Sequence, residues 1–250
     1  MSLQNDKSLG QHWLKNRVIL ERIADLCGTG PLCVEIGPGL GFLTSSLLKR
    51  FEKVVAVEYD SELARKLPGS FPGKNLEVVN GDILKYDFAK VAGPYVVAGN
   101  IPYYITSPII EKVLTAEKRP ERVVLLMQKE VAERIASDKE TVLSLFVKNR
   151  AKVELGPVVK AVEFTPPPKV DSQVLVMEPL ARPVVSDEVF ELIRQGFRMP
   201  RKKLIHNLAG RKSKEELMQI LEEIGVSPNA RPGELHLSNW QKLYGKMKIE

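Results

Sequence analysis

The tetrapeptide Asn100-Ile101-Pro102-Tyr103, which follows the apolar run 95–98, has the residue types for chemistry on an amine. An amine conjugated with a purine ring is a weak nucleophile, because its lone pair is delocalised into the ring. The Asn100 side-chain oxygen and the Ile101 backbone carbonyl would each accept one amine hydrogen and stabilise charge as it develops. Pro102 stiffens the turn, and Tyr103 offers a ring for a base to stack on. The tetrapeptide predicts methylation of the exocyclic amine of adenine, although an ordinary strand-to-loop exit uses the same residue types.

Short runs rich in Val and Ile must position this turn, and they alternate with helical patterns in the first 180 residues. The runs predict strands at 32–36, 54–58, 76–79, 95–98 and 123–127. Helices are predicted after Gly41 and at 61–67, 107–114, 130–136 and 141–149. Runs 151–155 and 173–177 flank a proline-rich segment and predict a closing hairpin at the sheet edge. The fold class is therefore α/β, a doubly wound Rossmann-like sheet with helices on both faces.

After residue 180 the pattern becomes purely helical. Helices are predicted at 187–197, 202–208, 214–224 and 234–247, with Gly210, Gly225 and Pro232-Gly233 as breaks. The sequence thus predicts two domains, 1–180 for binding a ligand and 181–250 as a small all-helical domain.

Residues that follow three of the predicted strands suit a nucleoside. Gly37 and Gly39 let the backbone pass close to a ligand, although the last glycine of the dinucleotide pattern is replaced by Phe42. Glu58 ends the second run, close to the offset at which an acidic residue binds ribose hydroxyls. Asp82 follows the third run, where it can accept a hydrogen bond from an adenine amine. Because parallel strands end at the same edge of a sheet, these residues predict one nucleoside site.

The missing motifs favour S-adenosylmethionine over a nucleotide. The chain has no Gly-x-x-x-x-Gly-Lys-Ser/Thr, so a phosphotransferase is disfavoured. His12, His206 and His236 are scattered and none begins a His-x-Glu, which argues against a zinc deaminase and predicts no metal site.

The charge balance indicates a polyanionic partner. The 250 residues carry a formal net charge of +6 with a pI near 9.2, and no acidic residue occurs from Leu192 to Lys214. A basic run is usually a solvated face, but one without opposing charge favours phosphate contacts. The predicted RNA-binding residues are Arg194, Arg198, Arg201, Lys202, Lys203, Arg211 and Lys212.

We expect a cytoplasmic monomer without a membrane partner. The sequence shows no secretory leader and no apolar run near the roughly 20 residues that span a bilayer. Cys27 and Cys33 lack metal-type spacing and are interpreted as reduced structural thiols.

With these residues assembled, the sequence resembles the KsgA/RsmA family of ribosomal small-subunit RNA adenine dimethyltransferases over nearly its whole length. The matching motifs are Lys7 to Leu14, Val34 to Gly41, Asn80-Gly81-Asp82, Asn100 to Tyr103, Met127 to Ala132, Phe164 to Ser172 and the basic helix that begins Arg201-Lys202-Lys203.

The resemblance implies a cofactor, a substrate and site residues. S-adenosyl-L-methionine would contact His12 and Leu14 in a leader, residues 1–16, that docks near the cofactor cleft. The other implied cofactor contacts are Gly37, Glu58, Asp82 and Asn100. The family converts two adjacent adenosines near the 3′ end of 16S-type RNA to N6,N6-dimethyladenosine. A target base extruded from a loop would stack between Tyr103 and Phe164, although Phe164 could equally belong to the core.

Two other functions stay open. Ile101 also occurs in the large-subunit (23S) rRNA methyltransferases that confer macrolide resistance, His12-Trp13 replaces the commoner Asn-Phe, and segment 137–141 is short. Gln128-Lys129-Glu130 and Lys169 to Ser172 resemble the small-subunit enzymes instead. A non-catalytic RNA-binding assembly factor with the same fold is the remaining alternative.

Overall fold

The computed structural model describes residues 11–248, which form two compact units. The first unit runs to Ala132 and resumes over Lys152–Pro179, and the second comprises Glu133–Ala151 and the chain from Leu180 onward. The sequence predicted a continuous first domain of residues 1–180, whereas the structure groups 133–151 with the C-terminal residues. The reason is hydrogen bonding within the second unit. The Asn149 side chain bonds both Val185 N at 2.7 Å and Val185 O at 3.3 Å, and Glu140 N donates to Gly233 O at 2.9 Å.

A seven-stranded sheet confirms the predicted α/β fold class. In chain order its strands are β2 (Gly30–Ile36), β3 (Phe51–Glu58), β4 (Leu76–Asn80), β5 (Val96–Asn100), β6 (Arg122–Gln128), β7 (Ala151–Val159) and β9 (Ser172–Pro179). Their spatial order is β4-β3-β2-β5-β6-β9-β7. The four pairings between β4 and β6 are parallel, and β9 pairs with β6 antiparallel. The chain order reverses between β2 and β5, which is where an open α/β sheet binds its ligand.

A two-stranded ribbon attaches the leader to the first unit. β1 (Trp13–Leu14) pairs antiparallel with β8 (Phe164–Thr165), with Trp13 opposite Thr165 and Leu14 opposite Phe164. Leu14 and Phe164 are each 3% exposed and belong to the hydrophobic core. Burying such side chains contributes about 1.5–3 kcal/mol each, so the ribbon anchors Leu14 in the core of this unit.

Helices connect the parallel strands of the first unit. They are α1 (Arg17–Cys27), α2 (Phe42–Leu47), α3 (Ser61–Lys66) and α4 (Thr106–Leu114), and α5 (Lys129–Ala136) crosses the boundary between the units. The sequence-based prediction contains no element at α1. Asn16 Oδ1 caps this helix by accepting from Val18 N and Ile19 N, and its buried face is Leu20, Ile23, Ala24 and Cys27.

The second unit is helical. It contains α6 (Val142–Arg150), α7 (Asp187–Gly196), α8 (Leu204–Leu208), α9 (Lys214–Glu223) and α10 (Leu237–Lys248). Trp240 on α10 is fully buried and packs so closely on Gly196 that no larger residue fits there. Buried Glu140 accepts from Ser144 Oγ at 2.6 Å and Lys148 Nζ at 2.8 Å.

One boundary in this unit differs from the sequence-based prediction. The helix predicted at 202–208 begins only at Leu204, so Arg201, Lys202 and Lys203 lie in the turn before it. Lys203 has a non-helical backbone (ψ 147°), and Leu204 N donates to Ala230 O at 2.8 Å instead of to a carbonyl one turn earlier in a helix. The predicted basic helix beginning at Arg201 is therefore a basic turn followed by a short helix. None of the helices within 11–248 is long and apolar enough to span a membrane.

Candidate active site

A cavity of about 360 Å³ opens at the carboxyl ends of β2, β3 and β5 in the first unit. It brings together ten of the residues that sequence analysis predicted for cofactor binding or catalysis: His12, Leu14, Gly37, Gly39, Glu58, Asp82, Asn100, Ile101, Pro102 and Tyr103. Cavities of this volume, with apolar walls and a few polar groups, are typical of small-molecule sites.

The glycine loop after β2 forms one wall. Gly39 has a φ of +57°, and a Cβ atom on it would lie 3.3 Å from Trp13 Nε1. Both the left-handed backbone and the overlying indole therefore require glycine. Gly39 N also donates to Glu58 Oε2 at 3.0 Å, which fixes the loop relative to the end of β3.

Two acidic side chains stand at neighbouring strand ends. Glu58 is 6% exposed, and its second oxygen accepts from Asp60 N at 2.9 Å. Burial raises the pKa of Glu58, and the backbone donors oppose that rise. Asp82 is partly exposed, and its Oδ1 accepts from Leu84 N at 2.9 Å. Gly81 N donates to Glu58 O at 2.9 Å, so the two acids belong to one hydrogen-bonded edge.

A third carboxyl, Glu35 on β2, was missed by the sequence analysis. It is 1% exposed, lines the cavity, and its Oε2 has no hydrogen-bond partner among the described residues. Burial raises the pKa of Glu35 to about 8; hydrogen bonding to Thr44 opposes that rise, and the neighbouring charge of Glu58 adds to it. The sequence signal for this residue is an acidic side chain inside the apolar run 32–36, since a buried carboxyl is costly and marks a candidate functional site.

The Asn100–Tyr103 turn faces the same cavity. Asn100 Nδ2 donates to the His12 carbonyl at 2.9 Å, which leaves the amide oxygen for another partner. Ile101 N donates to Leu126 O at 3.2 Å, so the turn is fixed to β6. The Tyr103 hydroxyl lies 2.6 Å from Ser172 Oγ, and the Tyr103 ring stacks on the His12 ring with centroids 6.0 Å apart. Burial raises the pKa of Tyr103, so the phenol stays protonated at neutral pH.

The leader enters the cavity through His12, whose Nδ1 lies 2.8 Å from Pro166 O. The earlier part of the predicted opening motif, Lys7 to Gly10, and the remainder of leader residues 1–10 lie outside the described residues. Ser172 belongs to one of the matching motifs, but no role was predicted for it. The structure places Phe164 in the hydrophobic core at 3% exposure and not at the cavity, which favours the core alternative over stacking on a base.

The seven predicted RNA-binding residues lie in the second unit and differ in their exposure and in their contacts with other side chains. Lys203 Nζ donates to Asn229 Oδ1 and Arg211 Nε to Gln195 Oε1, both at 2.6 Å. The Lys212 side chain is only 11% exposed and the Arg194 guanidinium lies 5.5 Å from the Phe190 ring. Arg198, Arg201 and Lys202 are exposed, and their side chains form no hydrogen bond or ion pair with another described residue.

Within residues 11–248, no group of three or more His, Cys, Asp and Glu side chains is arranged to hold a metal ion.

The sequence profile described as "Ribosomal RNA adenine dimethylase" matches residues 2–247. The chain belongs to this family. A relative from Dehalococcoides mccartyi, "Ribosomal RNA small subunit methyltransferase A", is 37% identical over 97% of this chain and 88% of its own. A relative of the same name from Nostoc is 38% identical over 98% of both chains.

Two solved structures of RNA-modifying transferases have folds similar to that of this chain. A dimethyladenosine transferase from Plasmodium falciparum has a TM-score of 0.80 at 28% identity, covering 95% of this chain and 99% of its own. The 23S rRNA methyltransferase ErmE has a TM-score of 0.78 at 26% identity, covering 94% and 99%.

Family membership confirms the predicted enzyme class and cofactor, an rRNA adenine dimethyltransferase that depends on S-adenosylmethionine. The cavity fits that cofactor, because it offers two carboxylates for hydroxyl and amine groups, an open glycine backbone, and apolar walls that include Phe42 and Ile83. The roles of individual residues in this cavity stay predictions.

Proposed function

We propose that the chain dimethylates the N6 amine of two adjacent adenosines in a loop near the 3′ end of small-subunit (16S) rRNA, during ribosome biogenesis. It acts as a cytoplasmic monomer on the rRNA or a partly assembled small subunit. The near full-length relatives named small-subunit methyltransferases support this substrate. The observation that carries the proposal is the Asn100 amide, whose oxygen is left open beside Tyr103 in a cavity that also holds Glu58 and Asp82.

Residues at the strand ends would hold the cofactor. Glu58, already fixed by two backbone donors, would accept from ribose hydroxyls with its remaining lone pairs. The Asp82 oxygen that does not cap Leu84 would accept from the adenine amine. His12 and Leu14 in the leader and the backbone at Gly37 and Gly39 would enclose the rest. When bound, S-adenosylmethionine supplies an electrophilic methyl group on a sulfonium.

Asn100 and Ile101 would activate the target amine. Because Asn100 Nδ2 is occupied by the His12 carbonyl, the free end of the amide is its oxygen, an acceptor. In the first transfer, that oxygen and the Ile101 carbonyl would each accept a hydrogen bond from the amine and hold the nitrogen near tetrahedral geometry.

Tyr103, stiffened by Pro102, would stack the base, a contact worth roughly 1–3 kcal/mol. Its phenol is protonated and cannot act as a base. No dedicated general base is required, because the methylated amine is a strong acid and loses its proton to water. Positioning and desolvation would supply most of the rate.

The target adenosine must leave the RNA stack to enter the cavity. Arg198, Arg201 and Lys202 are the best candidates for phosphate contacts because nothing in the described chain neutralises them. The other four predicted residues would contribute less, because each already contacts a side chain of the second unit. They are Arg194, Lys203, Arg211 and Lys212.

Methyl transfer from labelled S-adenosylmethionine into unmethylated small and large ribosomal subunits, with the modified adenosines mapped, tests the proposal. We expect dimethylation of two adjacent adenosines in the small subunit. Label only in the large subunit would instead establish the 23S alternative, to which the similarity of ErmE gives a structural basis. Binding without transfer would establish an assembly factor.

A further inference from the structure

Tyr103 is held at two points. The His12 ring is stacked on the Tyr103 ring at an interplanar angle of 22°, with centroids 6.0 Å apart, and the Ser172 Oγ lies 2.6 Å from the Tyr103 hydroxyl. His12 comes from the leader and Ser172 from the first position of β9, so neither restraint belongs to the turn that carries Tyr103.

We propose that Ser172 is a positioning residue, which holds the Tyr103 ring in the orientation that receives the target adenine. The inference rests on the proposed function, because it assigns a role to Ser172 only through the base-stacking role of Tyr103.

Ser172 is itself rigidly placed. It is 0% exposed, and β9 pairs with β6 in a register that sets Ser172 opposite Gln128. Its Oγ makes no other hydrogen bond within the described residues. A buried hydroxyl with a single partner restrains the position of that partner, because breaking the hydrogen bond leaves a buried polar atom unsatisfied.

The Tyr103 ring needs such a restraint because the turn alone does not provide one. Pro102, Tyr103 and Tyr104 are partly or fully exposed, and Tyr103 lies in a short 3₁₀ turn. Immobilising a free side chain during binding costs conformational entropy. The bond to Ser172 removes that cost before the base arrives.

This role makes a prediction about which kinetic constant changes. RNA affinity comes mainly from phosphate contacts, so the KM for RNA should change little. The kcat should fall, because fewer bound complexes hold the amine in line for transfer.

A double-mutant cycle of Ser172→Ala and Tyr103→Phe tests the proposal in the full-length chain, with labelled S-adenosylmethionine and unmethylated small subunits. Each change removes one side of the same hydrogen bond, and Tyr103→Phe keeps the ring. We expect each single variant to lower kcat by roughly 3- to 10-fold, the usual worth of one hydrogen bond, and the double variant to fall no further. Cofactor affinity should stay at the wild-type value.

Ser46→Ala is the matched control. Ser46 is a buried serine of the same unit, 4% exposed, whose Oγ donates to Glu21 Oε1 at 3.0 Å, and it does not line the cavity. It should lower stability and leave kcat unchanged.

Wild-type kcat in either single variant, or additive losses in the double variant, would overturn the inference. If Ser172→Ala does not fold, Tyr103→Phe alone decides, since it deletes the bond and leaves the buried serine in place. Failure of the proposed function has a different signature, namely wild-type protein that labels only the large subunit or neither. If wild-type protein labels only the large subunit, the cycle is run on that subunit. If it labels neither subunit, both the proposed function and the role of Ser172 are wrong.

Discussion

The three cavity side chains Glu58, Asn100 and Tyr103 are held differently from Arg201 and Lys202, the exposed pair of the basic turn. In the first unit, Glu58, Asn100 and Tyr103 are each fixed by hydrogen bonds to residues from other elements. In the second unit, Arg201 and Lys202 are exposed, and their side chains make no such bond with any residue within 11–248. Activating an amine depends on fixed geometry, whereas attracting a phosphate backbone depends mainly on charge. On the proposed roles, the first unit therefore contains residues that act by position, whereas Arg201 and Lys202 of the second unit act by charge.

Asn100→Ala should give the largest effect, because it deletes an acceptor whose position matters. We expect kcat to fall by roughly 10²–10³-fold, similar to the loss of one oxyanion-hole donor. RNA affinity should be unchanged, as measured by filter binding beside single-turnover methyl transfer.

Asn75→Ala is the control for that change. Asn75 is an exposed asparagine of the same unit whose Nδ2 donates to Glu52 O at 2.9 Å, away from the cavity. It should keep the wild-type kcat. Near-normal turnover by Asn100→Ala would show that this site does not act through a fixed amide oxygen.

Glu35→Gln should change how stability depends on pH. The unfolded chain ionises this carboxyl near pH 4.5 and the folded chain near pH 8. Between these values the unfolded state binds fewer protons, so the contribution of Glu35 to stability falls as pH rises and is lowest above pH 8. Glutamine cannot ionise, so the variant should be more stable than wild type at pH 8, by about 1–3 kcal/mol, because burying the amide still has a cost.

Denaturant unfolding of the cofactor-free protein from pH 5 to 8 measures this difference. The matched control for the loss of one carboxylate is Glu62→Gln, which changes a glutamate side chain that is 58% exposed on α3. A Glu35→Gln profile parallel to that of wild type would mean that Glu35 is ionised in the folded protein at neutral pH.

The sheet and the cavity were largely predictable because both follow from local patterns. Buried parallel strands appear as apolar runs, and the structure extends the predicted 32–36 and 54–58 only to Gly30–Ile36 and Phe51–Glu58. Strand ends then place Gly39, Glu58 and Asp82 at one edge without any knowledge of packing.

What could not be predicted depends on contacts between distant segments. Ser172 lies 69 residues from Tyr103, and the His12 carbonyl lies 88 residues from the Asn100 amide that it binds. No periodicity encodes such a pairing. The grouping of 133–151 with the C-terminal helices has the same origin, since it depends on the Asn149 bonds to Val185.

Replacing Arg201 and Lys202 with glutamine should have the smallest effect on the chemistry and a graded effect on binding. Each lost phosphate contact should reduce the magnitude of the slope of log affinity against log salt by about 0.7, the value for single strands, with kcat at saturating RNA unchanged. The control is Lys152→Gln with Lys242→Gln, which removes the same charge from exposed sites outside the basic turn and should reduce the slope less. Equal slopes for the two double variants would mean that net charge alone attracts the RNA. A fall in kcat would mean that these residues act by position, as the cavity residues do, and the contrast between the two units would no longer hold.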